Sequence, residues 1–360
     1  MKHTRIKSVL LPLALALPVF VAQAADDVNE AELQRQFNEI KTRLAQLEQN
    51  KVIASEEQAS NTDMHFYGTL RPTFGVTSTD ERDDWDVGDA LSRIGFAAEH
   101  KLSNGMIGFA KGEFKVQIQG DAHFGDARKA YVGIKGDFGR IAIGKQETTH
   151  YALIGIPVDI FNRTNTPLGY DDVSVFRKQE LVSYRKSFGN FEIRGEAQFS
   201  GEDKENEGSD LVNAGVSYKG SDYSLAFAYL TQDLDGTDKN TLGFSATKSI
   251  GDWYFAAAYL DLEHDVVGGD ITTIDVVATY AINSQYKLLF GASQLDDEQA
   301  AVSSKDVARF NTTLEWQGTK DFRLFIEYQH NEYENDDVNL AVSDSDQLTV
   351  GMRYNFDYKF

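Results

Sequence analysis

The chain has 360 residues, a formal net charge of −21 and no cysteine. Without cysteine there are no disulfide bonds and no thiolate metal sites, and the acidic balance argues against nucleic acid as a partner, because nucleic-acid binding needs a basic surface. After the N-terminus no stretch approaches the ~20 apolar residues of a membrane helix. A membrane β-barrel remains compatible with this composition, because its strands alternate apolar and polar residues.

The N-terminal segment resembles a cleaved bacterial export signal. Three basic residues lie within the first seven positions, an apolar run covers residues 9–21, and Ala22-Gln-Ala24 has the small-residue pattern of a cleavage site. The alternative is a membrane anchor, which the short, proline-interrupted run disfavours. We therefore predict a signal peptide over residues 1–24 and export from the cytoplasm.

Residues 25–62 differ in composition from everything that follows. Apolar residues at alternating spacings of four and three form a coiled-coil seam: Leu33, Phe37, Ile40, Leu44 and Leu47. This segment is too short for a stable lone helix, so two interpretations are open: an amphipathic helix lying on a surface, or a short periplasmic coiled coil within an assembly held together elsewhere. We favour the coiled coil, in a homotrimer, followed by a linker, and we consider peptidoglycan a possible contact of residues 28–50.

From His65 to Phe360 apolar and polar residues alternate with a period of two, which is typical of β-strands. In the last strand one face is entirely apolar or aromatic: Leu348, Val350, Met352, Tyr354, Phe356, Tyr358 and Phe360. About 16 such segments occur, and many carry two or more charges on the opposite face. Apolar side chains facing lipid and charged ones facing water are expected of a transmembrane barrel.

The connections between these segments alternate in length. Short Gly/Asn/Asp turns, such as Ser103-Asn-Gly105 and Gly189-Asn190, suit tight hairpins. Long acidic loops, such as residues 200–210 and 333–345, lie between them. We predict an all-β fold over residues 63–360, a 16-stranded antiparallel transmembrane β-barrel with short turns on one rim and long loops on the other.

One connection, residues 146–175, differs from the other loops. It shows no helix or strand period, yet it is rich in apolar residues such as Ile154, Ile160 and Phe161. Structureless loops of this length in compact domains are usually functional or disordered. Because this one is too apolar for a solvated segment, we predict that it folds into the barrel and narrows a pore.

The alternation also predicts which charges face the lumen. Four arginines of the early strands would form one cationic arc: Arg71, Arg93, Arg128 and Arg177. The inward direction of Arg128 follows from an outward Tyr131, and Glu113 and Arg185 are also predicted to face inward. The loop supplies the opposing acids Glu147, Asp159, Asp171 and Asp172. Opposed charges across a narrow opening create a transverse field that biases ion passage.

The sequence shows no catalytic pattern. Its seven histidines are scattered, and it has no H-E-x-x-H motif, no G-x-S-x-G motif and no P-loop. We therefore predict that the protein is not an enzyme and uses no cofactor or metal.

Several short motifs resemble those of the general diffusion porins of Gram-negative outer membranes. They are Arg93-Ile-Gly-Phe96, Asp126-Ala-Arg128 with Ala130-Tyr-Val-Gly-Ile-Lys135, Gly139-Arg140 through Gly144-Lys145, Val182-Ser-Tyr-Arg185 and the terminal Tyr358-Lys-Phe360. The order and spacing of these motifs carry the resemblance, which covers His65 to Phe360. The coiled-coil segment before the barrel is an addition to the family pattern.

This resemblance implies a trimer in the outer membrane, in contact with lipid and lipopolysaccharide. It also implies that Phe360 is the signal read by the barrel-assembly machinery, and that Arg93, Arg128, Arg177 and Glu113 occupy pore-wall positions. The loop departs from the family pattern, because Thr166-Pro-Leu-Gly-Tyr170 lacks the usual acid at its tip. Asp159 or Asp171 are the candidates to replace that acid.

We therefore expect a porin that passes ions and small hydrophilic solutes passively, with a slight cation preference that the arginine arc could reverse. A channel specific for phosphate or oligosaccharide is the nearest alternative. A barrel that tethers the envelope through its N-terminal segment is another.

Overall fold

The computed structural model describes residues 35, 37–49, 61–119, 123–163, 175–200, 210–233, 238–264, 270–298, 305–335 and 343–360. The chain divides into two compact units, Met1–Gln58 and Ala59–Phe360. In the first unit residues 37–49 are helical, and the seam residues Phe37, Ile40, Leu44 and Leu47 are exposed. Leu33 and the predicted signal peptide lie outside the described residues. No helix in the described ranges is long and apolar enough to cross a membrane.

The second unit is a closed sheet of sixteen antiparallel strands, which confirms the predicted fold. The strands are β1 (Thr62–Leu70 and Pro72–Ser78), β2 (Asp83–Asp89 and Arg93–Lys101), β3 (Ile107–Val116), β4 (Phe124–Gly136), β5 (Gly139–Glu147), β6 (Arg177–Phe188), β7 (Phe191–Gln198), β8 (Leu211–Lys219), β9 (Tyr223–Asp233), β10 (Asp238–Ile250), β11 (Trp253–His264), β12 (Asp270–Ala281), β13 (Tyr286–Asp297), β14 (Lys305–Gln317), β15 (Phe322–Asn335) and β16 (Ser345–Lys359). Each strand pairs with its neighbours in sequence, and β1 pairs with β16 to close the barrel.

The first two strands are each interrupted once, at the same height. Arg71 separates the two segments of β1, directly before Pro72, which has no backbone N–H for the ladder. Opposite it, residues 90–92 separate the segments of β2, and Leu91 there has a φ of +68°. Because pairing continues on both sides of the break, the two segments count as one strand each.

The outer surface is apolar, as the alternation predicts. In β16, Val350 and Met352 on the outer face are both 46% exposed, whereas Thr349 on the lumenal face is 2% exposed. Aromatic rings collect near the short turns, where Trp253 stacks on Tyr280 at 4.6 Å and Phe191 meets Tyr218 edge to face at 4.9 Å. Apolar bands bordered by aromatic residues match the hydrocarbon layer and its interfaces.

Residues 148–163 of the connection between β5 and β6, called here the inserted loop, lie inside the barrel. Its side chains and backbone contact residues of β7, β10, β14, β15 and β1, which only a segment within the closed sheet can do. The loop begins with a short π-helix, Tyr151–Gly155, where the sequence showed no helical period. This turn places Leu153 and Ile154 together against the wall.

The inserted loop is held by apolar packing on the wall of β9 to β13. Ile154 and Val158 are fully buried against inward residues such as Ala228, Leu260 and Val277. Three wall glycines make room for loop side chains: a Cβ at Gly215, Gly243 or Gly291 would lie 2.6 to 2.8 Å from Leu153, from His150 and Ile154, or from Phe161, respectively. These distances are below van der Waals contact, so the wall is shaped to receive this loop.

Candidate pore constriction

The start of the inserted loop is attached to β7 by a buried carboxylate. The backbone N–H of Thr149 donates to Glu196 Oε1 at 2.7 Å, and its hydroxyl donates to Oε2 at 3.1 Å. Asn213 Nδ2 on β8 also donates to Glu196, at 3.0 Å. Three donors satisfy a carboxylate that is only 7% exposed, as a buried charged group requires.

The other described end of the loop is attached to β15, β14 and β1. Glu327 accepts the backbone N–H groups of Asn162 and Arg163 at 2.9 and 2.8 Å, while the Asn162 side chain donates to Glu315 at 2.9 Å. The Arg163 guanidinium donates to Thr73 on β1 at 2.8 Å and forms an ion pair with Asp86 on β2. The described part of the loop is therefore fastened at both of its ends.

Asp159 is the described acid within the loop that interacts with the arginine wall. The Tyr151 hydroxyl donates to Asp159 Oδ2 at 2.6 Å, and the carboxylate is within electrostatic range of Arg177, Arg71 and Arg93. Burial raises the pKa of Asp159, and the Tyr151 hydrogen bond and the arginines oppose that rise. Asp171 and Asp172 lie outside the described residues.

Glu113 is the centre of the opposite wall. Arg128 Nε donates to Glu113 Oε1 at 3.0 Å, the Tyr67 hydroxyl donates to Oε2 at 3.0 Å, and Arg93 Nε lies 3.9 Å from Oε1. Glu113 is 4% exposed, so it is a shared counter-ion for the two arginines. This cluster joins β1, β2, β3 and β4.

Arg128 faces the lumen for a different reason from the one the sequence suggested. Tyr131 was expected to face outward, but its ring meets Phe109 and lies 5.2 Å beneath the Arg140 guanidinium, inside the barrel. A register shift between β3 and β4 pairs Glu113 with Lys129 and Phe114 with Ala127. The extra residue in this β-bulge is Arg128, which is why neighbours Arg128 and Lys129 both reach inward carboxylates.

Arg323 and Arg353 also belong to this wall, although the sequence analysis did not include them among the pore residues. Arg71 is 7% exposed and interacts electrostatically with Arg93, Arg128, Arg323 and Arg353. Arg323 on β15 and Arg353 on β16 are directly opposite each other in the ladder. Their strand parity was readable from the sequence, but only barrel closure brings β16 beside β1.

The remaining predicted residues lie at two other places. Glu147, at the end of β5, forms an ion pair with Lys129 at 2.6 Å, and the Arg177 guanidinium lies over the Tyr151 ring at 5.8 Å. Arg185 is paired in register with Arg140 and Arg194, toward the short-turn end of the barrel. It is therefore separate from the Glu113 cluster along the barrel axis.

These positions create an asymmetric opening. One wall carries a group of guanidinium ions held by Glu113 and Glu315, and an inserted segment with Asp159 lies within electrostatic range of it. Such an arrangement can exclude large solutes sterically and orient polar ones in the field between the walls.

The model of the Gram-negative porin family matches residues 51–337. The chain belongs to the Gram-negative porin family. This membership confirms the resemblance seen in the sequence motifs, and the chain is accordingly a protein of the bacterial outer membrane.

Individual relatives are distant. The Monosaccharide porin of Halomonas sp is 27% identical over 227 residues, which cover 57% of this chain and 62% of that protein. Outer membrane protein U of Vibrio parahaemolyticus is 22% identical over 378 residues, covering 95% of this chain and 98% of the relative. Among solved structures, the anion-selective porin from Comamonas acidovorans has the same fold, with a TM-score of 0.69, 14% identity and coverage of 82% of this chain and 100% of that one.

Proposed function

We propose that this porin forms a water-filled channel through which ions and small hydrophilic solutes diffuse passively. The observation that carries the proposal is the inserted loop, fastened at both described ends inside a closed barrel and in electrostatic contact with a wall of arginines. A segment so placed sets the width and the field of an aqueous opening. The protein has no energy source to couple and acts as a passive filter rather than an enzyme.

Planar-bilayer recording of the purified protein in KCl tests this proposal. We expect stable conductance, with liposome swelling that falls as the sugar offered becomes larger. A variant lacking residues 151–161 of the inserted loop should conduct more and admit larger sugars. Absence of channels from correctly folded barrels in bilayers would contradict the proposal.

We further propose that the protein is a homotrimer. The seam of the N-terminal helix and the trimeric form recorded for OmpT of Vibrio cholerae support this state. Conductance in steps of three and a trimer mass in mild detergent are the expected results. Deletion of residues 26–58 should leave conductance unchanged if this segment serves envelope attachment, including any contact with peptidoglycan.

Selectivity for one solute class is the competing proposal. One relative is named for monosaccharides, whereas others carry names without a solute, such as Major outer membrane protein and Outer membrane porin PhoE, which supports a channel open to several small solutes. A permeability ranking that follows size alone would support general diffusion. A single phosphate or oligosaccharide with far higher flux than its size predicts would favour the specific channel.

A further inference from the structure

A second row of arginines lies in the lumen, nearer the short turns than the Glu113 cluster. Arg140 on β5 pairs in register with Arg185 on β6, which pairs with Arg194 on β7. Like charges directly opposite each other destabilise a β-ladder, and here three cations follow one another across adjacent strands. Such a row is favourable only where anions neutralise it.

The protein's own carboxylates neutralise this row incompletely. Arg194 Nε bonds Glu192 Oε1 at 2.6 Å. The Arg140 guanidinium lies over the Phe109 and Tyr131 rings, at 4.3 and 5.2 Å from their centroids, with no carboxylate in ion-pair contact among the described residues. The Arg185 side chain is exposed, and within the described ranges it makes neither a hydrogen bond nor an ion pair, although Glu192 is within electrostatic range of it.

These arginines line a polar cavity of about 120 Å³ below the inserted loop, together with Lys129, Tyr131 and Ser183. The volume suits about four water molecules or one small polar group. Two carboxylates also line it, but Glu147 pairs with Lys129, and Glu196 is occupied by its three donors from Thr149 and Asn213. The main group left to bind a solute is therefore the guanidinium fork of Arg185, with that of Arg140, which also bonds the Tyr131 hydroxyl, beside it.

We propose that this second arginine row binds the carboxylate or phosphate group of small organic anions on the periplasmic side of the constriction. The proposal rests on the channel function proposed above. A guanidinium presents parallel N–H donors that match two oxygens of one oxyanion, and short turns in outer-membrane barrels face the periplasm. An anion that has passed the constriction would be held here before it leaves.

The test uses the full chain in planar bilayers with KCl as the carrier salt. Potassium phosphate or potassium glucuronate, added at constant ionic strength, should lower chloride conductance in a saturable way, and the two salts separate phosphate from carboxylate binding. Arg185→Gln should raise the half-saturating concentration about tenfold, because charge-assisted hydrogen bonds are lost. Arg185→Lys, which keeps the charge but not the fork, should give an intermediate value.

Arg309→Gln is the matched control, since Arg309 is a half-buried lumenal arginine on β14 that bonds Asn331 at 2.6 Å, outside the row. An equal effect of Arg185→Gln and Arg309→Gln would overturn the site and leave only a general effect of pore charge. Arg140→Gln gives the same test if Arg185→Gln does not assemble. Normal KCl conductance without saturable inhibition by either anion would overturn the site alone. Absence of KCl conductance in the unmodified protein would overturn the channel function and the site with it.

Discussion

The lumen has two walls of opposite character. From β9 to β13 the inward residues include an apolar cluster, such as Ala228, Leu260 and Val277, and the inserted loop covers this cluster. On β15, β16 and β1 to β4 the inward residues are charged and include Arg71 and Arg353. Because the outer face of both walls is apolar, the difference arises inside: one inner wall packs against protein and the other faces the open pore.

This difference explains on which strands the alternation of apolar and polar residues predicts the direction of the side chains. On the charged wall, apolar residues face lipid and polar residues face water, so strand parity is readable. On β11 of the covered wall both faces are apolar: Phe255 is exposed outside while Ala256 and Ala258 are buried inside. The nearly continuous apolar run from Tyr254 to Leu262 was the available signal that something covers the inner face there.

The largest effect should come from placing a charge in the covered wall. Ile154 is fully buried, so Ile154→Asp would leave an unpaired carboxylate among apolar residues and destabilise docking of the loop by at least about 4 kcal/mol. We expect a wider, noisier channel in single-channel recordings. Ile156→Asp is the control, because Ile156 in the same loop is 45% exposed; equal conductance changes in the two variants would show that apolar docking does not hold the loop.

A smaller, pH-dependent effect is expected from His150, which is buried beside Gly243. Burial lowers the pKa of His150 to about 4, against about 6.5 when it is exposed. His150 therefore binds a proton more readily when the loop is undocked than when it is docked. Its contribution to the free energy of docking, up to ~3 kcal/mol, is complete above pH ~6.5 and is lost as pH falls toward 4.

The denaturation midpoint in detergent, measured from pH 7 to pH 4, checks this. His150→Gln should reduce the acid sensitivity, whereas His123→Gln, at an exposed position, should not. The raised pKa of Asp159 acts in the opposite direction, since its contribution is lost as pH rises through the raised value. The His150→Gln variant should therefore lose less stability on acidification than the unmodified protein, and identical pH profiles of the two proteins would refute the role of His150.

The smallest expected effect is a change in ion permeability caused by substitutions on the charged wall. Replacing Arg93 and Arg128 by Ala removes the two cations that share Glu113, so the permeability ratio should shift severalfold toward cations. The reversal potential in a KCl gradient measures this shift, with Arg309→Gln as the matched single-charge control. An unchanged reversal potential would exclude this cluster as the ion filter.

Much of the architecture could be predicted from local sequence. The period of two, the Gly/Asn turns and the alternation of short and long connections gave sixteen strands, and the length and apolar character of the β5–β6 loop predicted its inward path. These features depend on residues close together in the chain, where strand geometry and the need to satisfy backbone groups in lipid leave few alternatives.

The composition of the constriction depended on tertiary structure. The β-bulge at Arg128 reversed the expected direction of Tyr131, and barrel closure brought Arg353 beside Arg71. Asp159 is the described loop acid that interacts electrostatically with the arginines. It follows a π-helix that no period in the sequence predicted. Away from the β-bulge at Arg128, the sequence by itself determined which side chains could face lipid, because burial in the membrane acts on each strand alone. Which charges meet across the lumen was decided by register, closure and loop docking, since these join residues far apart in the chain.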